Sequence, residues 1–536
     1  MSNPILLTDG YKLDHRRQYP NGTEIVYSNW TPRSNAYFPE ASDGVVVFGV
    51  QYVIKRFLIE DFNNNFFNKP KEEVVNKFAR RIRTYLGEEA FNRIGTKHIE
   101  DLYDLGYLPI EIKALPEGTV CPIRVPALTV INTKPEFFWL TNYFETLLSN
   151  TLWLPMTSAT TARLYKKELI RHATLTGYVD DPNIILGFSC HDFSMRGMEG
   201  IESTEISGLG HLTSFVGTES LPALDAAEEY YNANAESELL GSTVAATEHS
   251  VMCAGSNFDE NGGNDFEQFK RIITEVYPDG FVSVVSDSFD YWRVVETFLP
   301  KLKDTIMSRN GRVIIRPDSG CPEDIICGYW TKPGYEVKIE KTPKRGKLNY
   351  YYRPISKKKR GIKNPWIQCS EGQYYGTYYM LYKIFGGSET KAGYKMLDNH
   401  IGLIYGDSIT LERQKEIYAR LEQKGFCASN LVLGVGSYSY TYKTRDSLGF
   451  AMKATWCQIN GEAKEIFKKP KTDSGLKNSL KGLIRVEKDQ DGKYYAIDQV
   501  SMEDAQGGFL ETVFKDGKLV KEFTLSEIRD NVNASL

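Results

Sequence analysis

The hydrophobic positions follow different patterns in three parts of the chain. Up to about residue 154, short apolar runs alternate with turn residues, and 23–28 and 44–50 are predicted strands. Residues 71–83 have the apolar spacing of an amphipathic helix, and prolines and glycine break 108–131 into further strands. We therefore expect a β-rich, antiparallel unit at the start of the chain.

From about residue 155 the apolar runs become continuous, and each gives way to a helical stretch. The seven runs are 184–188, 211–215, 243–246, 281–285, 312–315, 401–405 and 431–435. Strands buried on both faces have such continuous runs, and repeated strand-then-helix units form parallel sheets. Seven units favour an irregular or incomplete parallel α/β barrel over an open sheet, although periodicity alone does not choose between them.

After about residue 446 the antiparallel pattern returns. Residues 451–457, 482–487 and 509–513 are predicted strands, with turns such as Asp491-Gly492 and Asp516-Gly517. The predicted fold class is therefore α/β. A barrel over 155–445 is inserted in a β-rich domain that both chain ends, 1–154 and 446–536, build together.

Length and composition agree with this division into domains and exclude several classes of protein. A chain of 536 residues is too long for one ordinary core. Its formal net charge of −4 argues for neither a nucleic-acid binder nor a membrane-surface protein. The chain has no apolar run of about 18 residues and no signal-peptide pattern, so we expect a cytoplasmic protein. Its eight cysteines form no short pairs, which predicts buried free thiols.

One segment departs from this composition. Residues 332–363, within an insert at about 328–375, contain twelve Lys or Arg against two Glu, interleaved with three consecutive tyrosines. The run Lys357-Lys358-Lys359-Arg360 is compatible with a nucleic-acid patch or a nuclear address. The segment is short and the rest of the chain compensates its charge, which favours a solvated hairpin or loop inserted in the barrel.

Polar residues and glycines follow the predicted barrel strands. The carboxyl ends of parallel barrel strands face the active site, so these residues are expected to share one rim. The rim segments are residues 191–197, 217–219, 247–250, 286–288, 316–320, 406–408 and 436–437. A purely structural barrel can end its strands with small neutral residues. This series of Asp, His and Arg therefore indicates an active site.

The rim chemistry suits a substrate with an anionic end and a reacting sugar. Gly406 and Gly436 allow backbone N–H groups to approach a phosphate closely. Arg196 and Arg316 can hold oxyanions or a carbonyl oxygen with two parallel donors.

His249 is the strongest candidate for catalysis among the seven histidines. Asp287 and Asp318 could hold a divalent metal through water, or stabilise positive charge on a sugar ring. An imidazole near carboxylates is held in one tautomer and made more nucleophilic. His191, beside Asp192, is expected to be structural.

These residues resemble the nicotinamide phosphoribosyltransferase family, one of the type II phosphoribosyltransferases, nearly end to end. The acidic loop of type I transferases, with paired acids before Thr-Thr-Gly, is absent from the sequence. The strings that carry the resemblance are Leu6-Leu7-Thr8-Asp9-Gly10-Tyr11-Lys12, His191-Asp192-Phe193, Glu248-His249-Ser250, Val284-Val285-Ser286-Asp287-Ser288, Ile315-Arg316-Pro317-Asp318-Ser319-Gly320, Gly406-Asp407 and Thr444-Arg445-Asp446.

The resemblance implies a reaction and its cofactors. Nicotinamide and phosphoribosyl pyrophosphate would give nicotinamide mononucleotide and pyrophosphate, as in NAD salvage. Mg²⁺ would sit on the departing pyrophosphate without direct protein ligands, and ATP would phosphorylate His249 to drive the synthesis. A homodimer with shared active sites is implied as well.

Individual roles are carried over in the same way. Phe193 and Tyr11 would stack on either side of the nicotinamide ring, with Tyr11 coming from the second subunit. Arg316 would donate to the amide oxygen, and Glu219 would accept from the amide nitrogen. The resemblance assigns further substrate contacts to Thr243, Ser283, Arg196, Gly406, Asp407, Gly436 and Ser437, and pyrophosphate or ATP phosphates to Arg33, Arg445, Lys453 and Lys477.

Three positions depart from the family pattern. Glu219 stands where the family usually has Asp, Ser437 where it often has Gly, and Met195 where it often has Tyr. The gap between Asp318 and Asp407 is also longer than usual and contains the basic insert. Two other functions remain open: a nicotinate phosphoribosyltransferase, against which Glu219 argues, and a nucleic-acid-binding protein that uses the insert.

Overall fold

The computed structural model describes residues 3–181, 184, 187–342, 346–355, 364–406, 408–467 and 480–536. Two seven-stranded sheets organise the chain, one parallel and one antiparallel. We call them the barrel sheet and the terminal sheet. In the described ranges, no helix combines the length and apolar character needed to cross a bilayer.

The barrel sheet is parallel throughout. Its strands, in spatial order, are Gly217–Thr218, Cys190–Asp192, Leu431–Val435, Ile401–Tyr405, Gly311–Arg316, Gly280–Val285 and Ala245–Ala246. Ser242, just before the last strand, forms a parallel bridge with Gly217 of the first. The segment 242–246 therefore joins the two ends of the sheet, which confirms the predicted irregular barrel.

Two of the seven predicted barrel strands are wrong. Residues 211–212 are the end of the helix Ile201–Leu212, and a turn follows them. The next strand begins only at Gly217. Ile184 is helical, and the neighbouring strand begins at Cys190, after the predicted run. A short apolar run is equally compatible with a buried helix, because both bury their side chains. The other five runs overlap barrel strands.

Helices and short hairpins connect the barrel strands. Their bounds are Ile201–Leu212, Leu221–Tyr231, His249–Ala254, Phe266–Arg271, Ile272–Val276, Tyr291–Arg293, Val294–Phe298, Leu299–Met307, Pro322–Cys327, Glu371–Tyr375, Thr377–Phe385, Leu411–Gln423 and Ser437–Thr441, with hairpins Asn257–Asp259/Gly262–Asn264 and Gly387–Glu389/Lys395–Leu397.

The terminal sheet is antiparallel and takes strands from both chain ends. Its order is Glu462–Glu465, Ala451–Ile459, Thr23–Thr31, Leu128–Asn132, Ile110–Ala114, Glu511–Lys515 and Lys518–Leu519. Thr23–Thr31, from the first part of the chain, pairs along its length with Ala451–Ile459, from the last part. This confirms a β-rich domain built from both ends, with the barrel inserted between them.

Smaller elements complete this domain. Val45–Val46 pairs with Val120–Cys121, and Leu483–Lys488 with Tyr494–Val500. The predicted strand 44–50 is shorter than expected because Gly49, at φ 88°, turns the chain into a helix at Val50. Further helices are His15–Gln18, Val50–Val53, Ile54–Asp61, Asn63–Phe67, Lys71–Leu86, Glu88–Ile94, Lys97–Leu105, Leu140–Tyr143 and Leu525–Asn533.

One long helix, Glu145–Thr176, connects the two domains. It packs against the barrel helix Ile201–Leu212, and a Cβ on Gly210 would lie 2.7 Å from the Cβ of Ser158. The glycine thus permits a close helix approach, which fixes the barrel relative to the terminal sheet. One continuous hydrophobic core includes residues of both domains.

The basic insert forms a three-stranded antiparallel sheet, Tyr335–Lys341, Leu348–Pro354 and Ile367–Cys369. This confirms the predicted inserted hairpin. Lys338 pairs with Glu340 at 2.5 Å, and Arg353 pairs with Glu336. The run Lys357-Lys358-Lys359-Arg360 lies outside the described residues.

All eight cysteines are free thiols. Five are buried as predicted, and Cys369 is half-buried. Cys253 and Cys321 are exposed, so the prediction of buried thiols is wrong for these two.

Candidate functional site

The barrel encloses a cavity of about 420 Å³. Its walls combine apolar side chains with a few polar groups, among them Phe193, Glu219, Ser283 and Arg316. Ligand sites are typically concave and mostly apolar, with few placed polar groups. The predicted substrate residues Phe193, Glu219, Thr243, Ser283 and Arg316 all line this cavity.

His249 stands at the rim as the first residue of the helix His249–Ala254. Its Nδ1 lies 3.3 Å from the Ser288 hydroxyl oxygen. Its Nε2 lies 3.7 Å from Oδ1 of Asp287 and 3.8 Å from Oδ2 of Asp318. The structure therefore brings the three predicted catalytic residues together, with the imidazole half exposed at 48%.

Asp287 is almost completely buried and is held in one orientation. Its Oδ2 accepts hydrogen bonds from the backbone N–H groups of Asp318 and Ser319, at 2.9 and 2.8 Å, and from the Ser319 hydroxyl. Its Oδ1 is buried without a hydrogen-bond partner among the described residues and faces His249. Three donors to one oxygen fix the orientation of the carboxylate, so that the other oxygen faces the imidazole.

Arg316 ends the barrel strand Gly311–Arg316 and lies in the same cavity. One terminal nitrogen donates to the carbonyl of Thr247 at 2.9 Å, and Nε is 3.9 Å from Oδ1 of Asp318. That Nε is buried and makes no hydrogen bond within the described chain. The guanidinium is thus oriented by the protein within the cavity.

Glu219 is fixed by two side chains that contact the same carboxylate oxygen. His191 Nε2 lies 3.0 Å from Oε1, and the Thr243 hydroxyl donates to Oε1 at 2.5 Å. Burial raises the pKa of Glu219, but these two hydrogen bonds and the charge of Arg316 outweigh it and lower the pKa below its usual value. The carboxylate is therefore ionised at neutral pH, beside a guanidinium.

His191, which the sequence predicts to be structural, lies beside two residues of this cavity and orients Glu219. The His191 ring is 4.6 Å from the Phe193 ring and lines the cavity. The signal was present, since His191 belongs to the first rim segment. Ser288, which contacts His249, also belonged to a rim segment but received no role.

Two glycines of the rim are in close contact with site residues. A Cβ on Gly406 would lie 1.9 Å from Oδ1 of Asp318, and one on Gly197 would lie 2.1 Å from the Ser437 hydroxyl oxygen. Gly406 thus leaves space for the Asp318 carboxylate. Gly197 leaves space for Ser437, where the resembling family often has Gly. Gly436 caps the helix Ser437–Thr441 beside them.

The remaining predicted residues lie elsewhere. Arg196 is exposed on the short turn Met195–Gly197. Arg33 donates from Nε to the carbonyl of Gly449 at 2.9 Å, and burial followed by repulsion from Arg445 lowers its pKa. Arg445 lies close to Arg33 and pairs with Asp446 at 3.1 Å. Asp407 and Lys477 lie outside the described residues.

Tyr11 and Lys453 lie on the terminal-sheet domain, around Glu145. Lys453 and Lys12 contact opposite oxygens of the Glu145 carboxylate, at 3.3 and 2.8 Å. Tyr11 is 62% exposed and packs against His15 at 5.1 Å. We call Tyr11, Lys12, Glu145 and Lys453 the Glu145 cluster. None of its members lines the barrel cavity of the same chain.

Comparisons with known proteins identify relatives of the whole chain. The profile of the nicotinate phosphoribosyltransferase (NAPRTase) family matches residues 188–518, and that of the nicotinamide phosphoribosyltransferase N-terminal domain matches residues 3–112. A nicotinamide phosphoribosyltransferase of Acinetobacter baylyi is 47% identical over 100% of this chain and 98% of the relative. A nicotinamide phosphoribosyltransferase of Mycoplasma pneumoniae is 32% identical over 89% of this chain and 94% of the relative.

A solved structure shares the fold. The nicotinate-nucleotide pyrophosphorylase of Pyrococcus furiosus superposes with a TM-score of 0.52 over 99% of this chain and 95% of its own, at 14% identity. At that identity the likeness concerns the fold alone.

Proposed function

This chain belongs to the nicotinamide phosphoribosyltransferases within the nicotinate phosphoribosyltransferase family, and on that premise we propose that it joins nicotinamide to phosphoribosyl pyrophosphate. The products are nicotinamide mononucleotide and pyrophosphate. The observation that carries the substrate assignment is the pair of Glu219 and Arg316 in one cavity.

A carboxamide complements this pair. Its oxygen accepts from the Arg316 guanidinium, and its N–H donates to the Glu219 carboxylate, since both groups line the cavity. The Ser283 hydroxyl, also buried without a partner there, is a further contact for the amide. Nicotinate would instead place a second carboxylate against Glu219, which costs affinity through repulsion and loss of the hydrogen bond.

Phe193 supplies one stacking surface for the pyridine ring, and Tyr11 of a second subunit supplies the other. The 62% exposure of Tyr11 and its position outside the cavity of its own chain support this arrangement. In a homodimer the Glu145 cluster of one subunit would then complete the barrel mouth of the other. Lys453 would contribute positive charge to the pyrophosphate, together with Arg33 and Arg445.

Transfer requires that the pyridine nitrogen attack the anomeric carbon while pyrophosphate departs. The new C–N bond takes the nitrogen lone pair, and the breaking C–O bond leaves its pair on pyrophosphate. Positive charge develops on the ribosyl ring, and the carboxylates of Asp287 and Asp318 stabilise it.

Mg²⁺ fits this site as an ion carried by pyrophosphate. Within the described residues no group of three or more His, Cys, Asp or Glu could form a metal cage. Asp287 directs a buried, unpartnered Oδ1 toward the reacting region, and Mg²⁺ commonly uses one or two carboxylates with substrate phosphates and water. When bound, the ion neutralises charge on the departing pyrophosphate.

We further propose that ATP phosphorylates His249. The Ser288 hydroxyl contacts Nδ1, and the exposed Nε2 then takes the γ-phosphoryl group as the bond to ADP breaks. Hydrolysis of this phosphohistidine to inorganic phosphate would favour synthesis over its reversal.

The free thiols and the metabolic family support a cytoplasmic location.

The decisive experiment offers nicotinamide and nicotinate side by side with phosphoribosyl pyrophosphate and Mg²⁺, with and without ATP. Mass spectrometry then measures both mononucleotides. We expect nicotinamide mononucleotide to dominate, and more of it with ATP. Dominance of nicotinate mononucleotide would overturn the substrate assignment, and no product from either base would overturn the activity.

A further inference from the structure

The carboxy-terminal helix Leu525–Asn533 contacts residues 239–240, which lead into the segment 242–246 that closes the barrel, through the half-buried side chain of Arg529. We propose that Arg529 is a positioning residue for base selection, which holds the segment carrying Thr243 and thereby the Glu219 carboxylate. The inference rests on the proposed function, because it concerns how the same cavity distinguishes an amide from an acid.

Arg529 makes three hydrogen bonds, all to backbone carbonyls of the barrel domain. Nε donates to Leu212 at 2.7 Å, one terminal nitrogen donates to Leu239 at 2.9 Å, and the other donates to Leu240. Leu212 ends the helix Ile201–Leu212, where the last carbonyls have no partner within the helix. A planar guanidinium with fixed donor directions can hold three such acceptors at once, and a lysine cannot.

The anchored segment leads directly to the specificity group. Two residues after Leu240, Ser242 exchanges hydrogen bonds with the neighbouring strand, donating to Val216 at 2.7 Å and accepting from Thr218 at 3.2 Å. The next residue is Thr243, whose hydroxyl donates to Glu219. The path from Arg529 to the carboxylate is therefore short and continuous.

This anchoring matters because Glu219 has one more rotatable bond than the Asp usual in the family. Its carboxylate depends on His191 and Thr243 for a single orientation. Residues 232–241 contain neither helix nor strand, so the side chain of Arg529 holds a stretch that lacks a regular ladder. Loss of that anchor releases Thr243, and the carboxylate then turns away from the amide.

The test compares Arg529→Met and Arg529→Lys with a matched control on the same helix, Asn531→Ala. Asn531 donates to the Glu117 carbonyl at 2.8 Å and does not contact the anchored segment. We expect Arg529→Met to raise the KM for nicotinamide about 10- to 150-fold with kcat within about twofold, as for loss of one hydrogen bond to a charged group. The kcat/KM for nicotinate, relative to that for nicotinamide, should rise as well.

Arg529→Lys retains the charge, but its donors lie on a single nitrogen that reaches fewer of the three carbonyls, so it should give an intermediate KM. Asn531→Ala should lower the Tm without changing the KM ratio. The positioning role is wrong if Arg529→Met and Asn531→Ala shift the ratio of the two KM values, for nicotinate and nicotinamide, equally. It is also wrong if Arg529→Lys lowers the Tm and leaves the KM for nicotinamide unchanged.

Two further measurements separate this inference from the proposed function. Adding Arg529→Lys to Thr243→Val should raise the KM no further than Thr243→Val alone, because both act on the same contact. Deuterium uptake of residues 239–246 should rise in Arg529→Lys and not in Asn531→Ala, a result that needs no activity. Additive KM effects or unchanged uptake would overturn the positioning role, whereas a wild-type protein without product would overturn only the proposed reaction.

Discussion

His191 Nε2 lies 3.0 Å from Oε1 of Glu219, and the Thr243 hydroxyl shares that same oxygen. The second carboxylate oxygen is therefore the one available to an amide N–H. The extra methylene of Glu219, relative to the Asp usual in the family, is compensated by two side chains that fix its end. Under the proposed function, base selection thus depends on Glu219 together with His191 and Thr243.

Replacing Glu219 tests this selection directly. In Glu219→Ser the negative charge disappears, so we expect the kcat/KM ratio of nicotinate to nicotinamide to rise at least about tenfold. Steady-state kinetics with both bases measure the ratio. Glu236→Ser, at an exposed site outside the cavity, is the control. An unchanged ratio in Glu219→Ser would refute the role of this carboxylate.

His249→Ala separates transfer from its energetic coupling to ATP. The variant should still form nicotinamide mononucleotide, because Asp287 and Asp318 remain to stabilise the ribosyl charge. Stimulation by ATP should disappear, since no imidazole accepts the phosphoryl group. Product yield with and without ATP, alongside ATP hydrolysis, measures this. His400→Ala is the control and should keep its stimulation by ATP. Full stimulation by ATP in His249→Ala would contradict the phosphohistidine proposal.

The proposed homodimer with shared active sites predicts complementation between variants. Tyr11→Ala and Phe193→Ala homodimers should each be strongly impaired. Co-expressed at equal amounts they form heterodimers with one intact site, and activity should return to about one quarter of wild type for random pairing. Tyr11→Ala mixed with Lys453→Ala provides the control, because both residues belong to the Glu145 cluster and leave no intact site. If activity recovers in the control mixture, or does not recover in the mixture of Tyr11→Ala and Phe193→Ala, the two subunits do not share their active sites in this way.

Gly406→Ala should impair catalysis without a large loss of stability. A Cβ there would lie 1.9 Å from Oδ1 of Asp318, so the carboxylate, whose Oδ2 is 3.8 Å from Nε2 of His249, must shift. Misplacement of a catalytic group by about 1 Å can lower rates by about 100-fold. We expect kcat to fall by about 10- to 100-fold with an unchanged Tm. Gly200→Ala, where no atom lies within 4 Å of the new Cβ, should leave kcat unchanged.

Acid should destabilise the protein through His211. Its ring is fully buried between the Tyr440 hydroxyl, 2.6 Å from Nδ1, and the Gly217 carbonyl, 3.0 Å from Nε2, and burial lowers its pKa to about 4. The unfolded chain, with an ordinary pKa of about 6.5, therefore binds the proton first as the pH falls. Stability is lost between pH 6.5 and 4, and by pH 5 this one group costs about 2 kcal/mol.

Urea unfolding at pH 7 and pH 5 checks this value. In His211→Gln the difference between the two pH values should shrink by about 2 kcal/mol relative to wild type. The remaining pH dependence belongs to other buried groups, such as His98. An equal pH dependence in both proteins would show that His211 does not titrate in this way.

The sequence by itself determined much of the barrel and its rim. Continuous apolar runs identified the strands Gly280–Val285, Gly311–Arg316, Ile401–Tyr405 and Leu431–Val435, because strands buried on both faces leave that pattern. The residues that follow them had to share one rim, since parallel strands end on the same side. His249 was accordingly expected beside two carboxylates before any contact was measured.

Only the tertiary structure decided contacts between distant segments. The run 211–215 belongs to a helix end and a turn because of what it packs against, and local pattern does not carry that information. The position of His191 on Glu219 and of Arg529 on Leu240 depends on chain segments that meet only after folding. Such contacts leave no periodicity in the sequence, so hydrogen-bond geometry, and not residue spacing, assigns those side chains their roles.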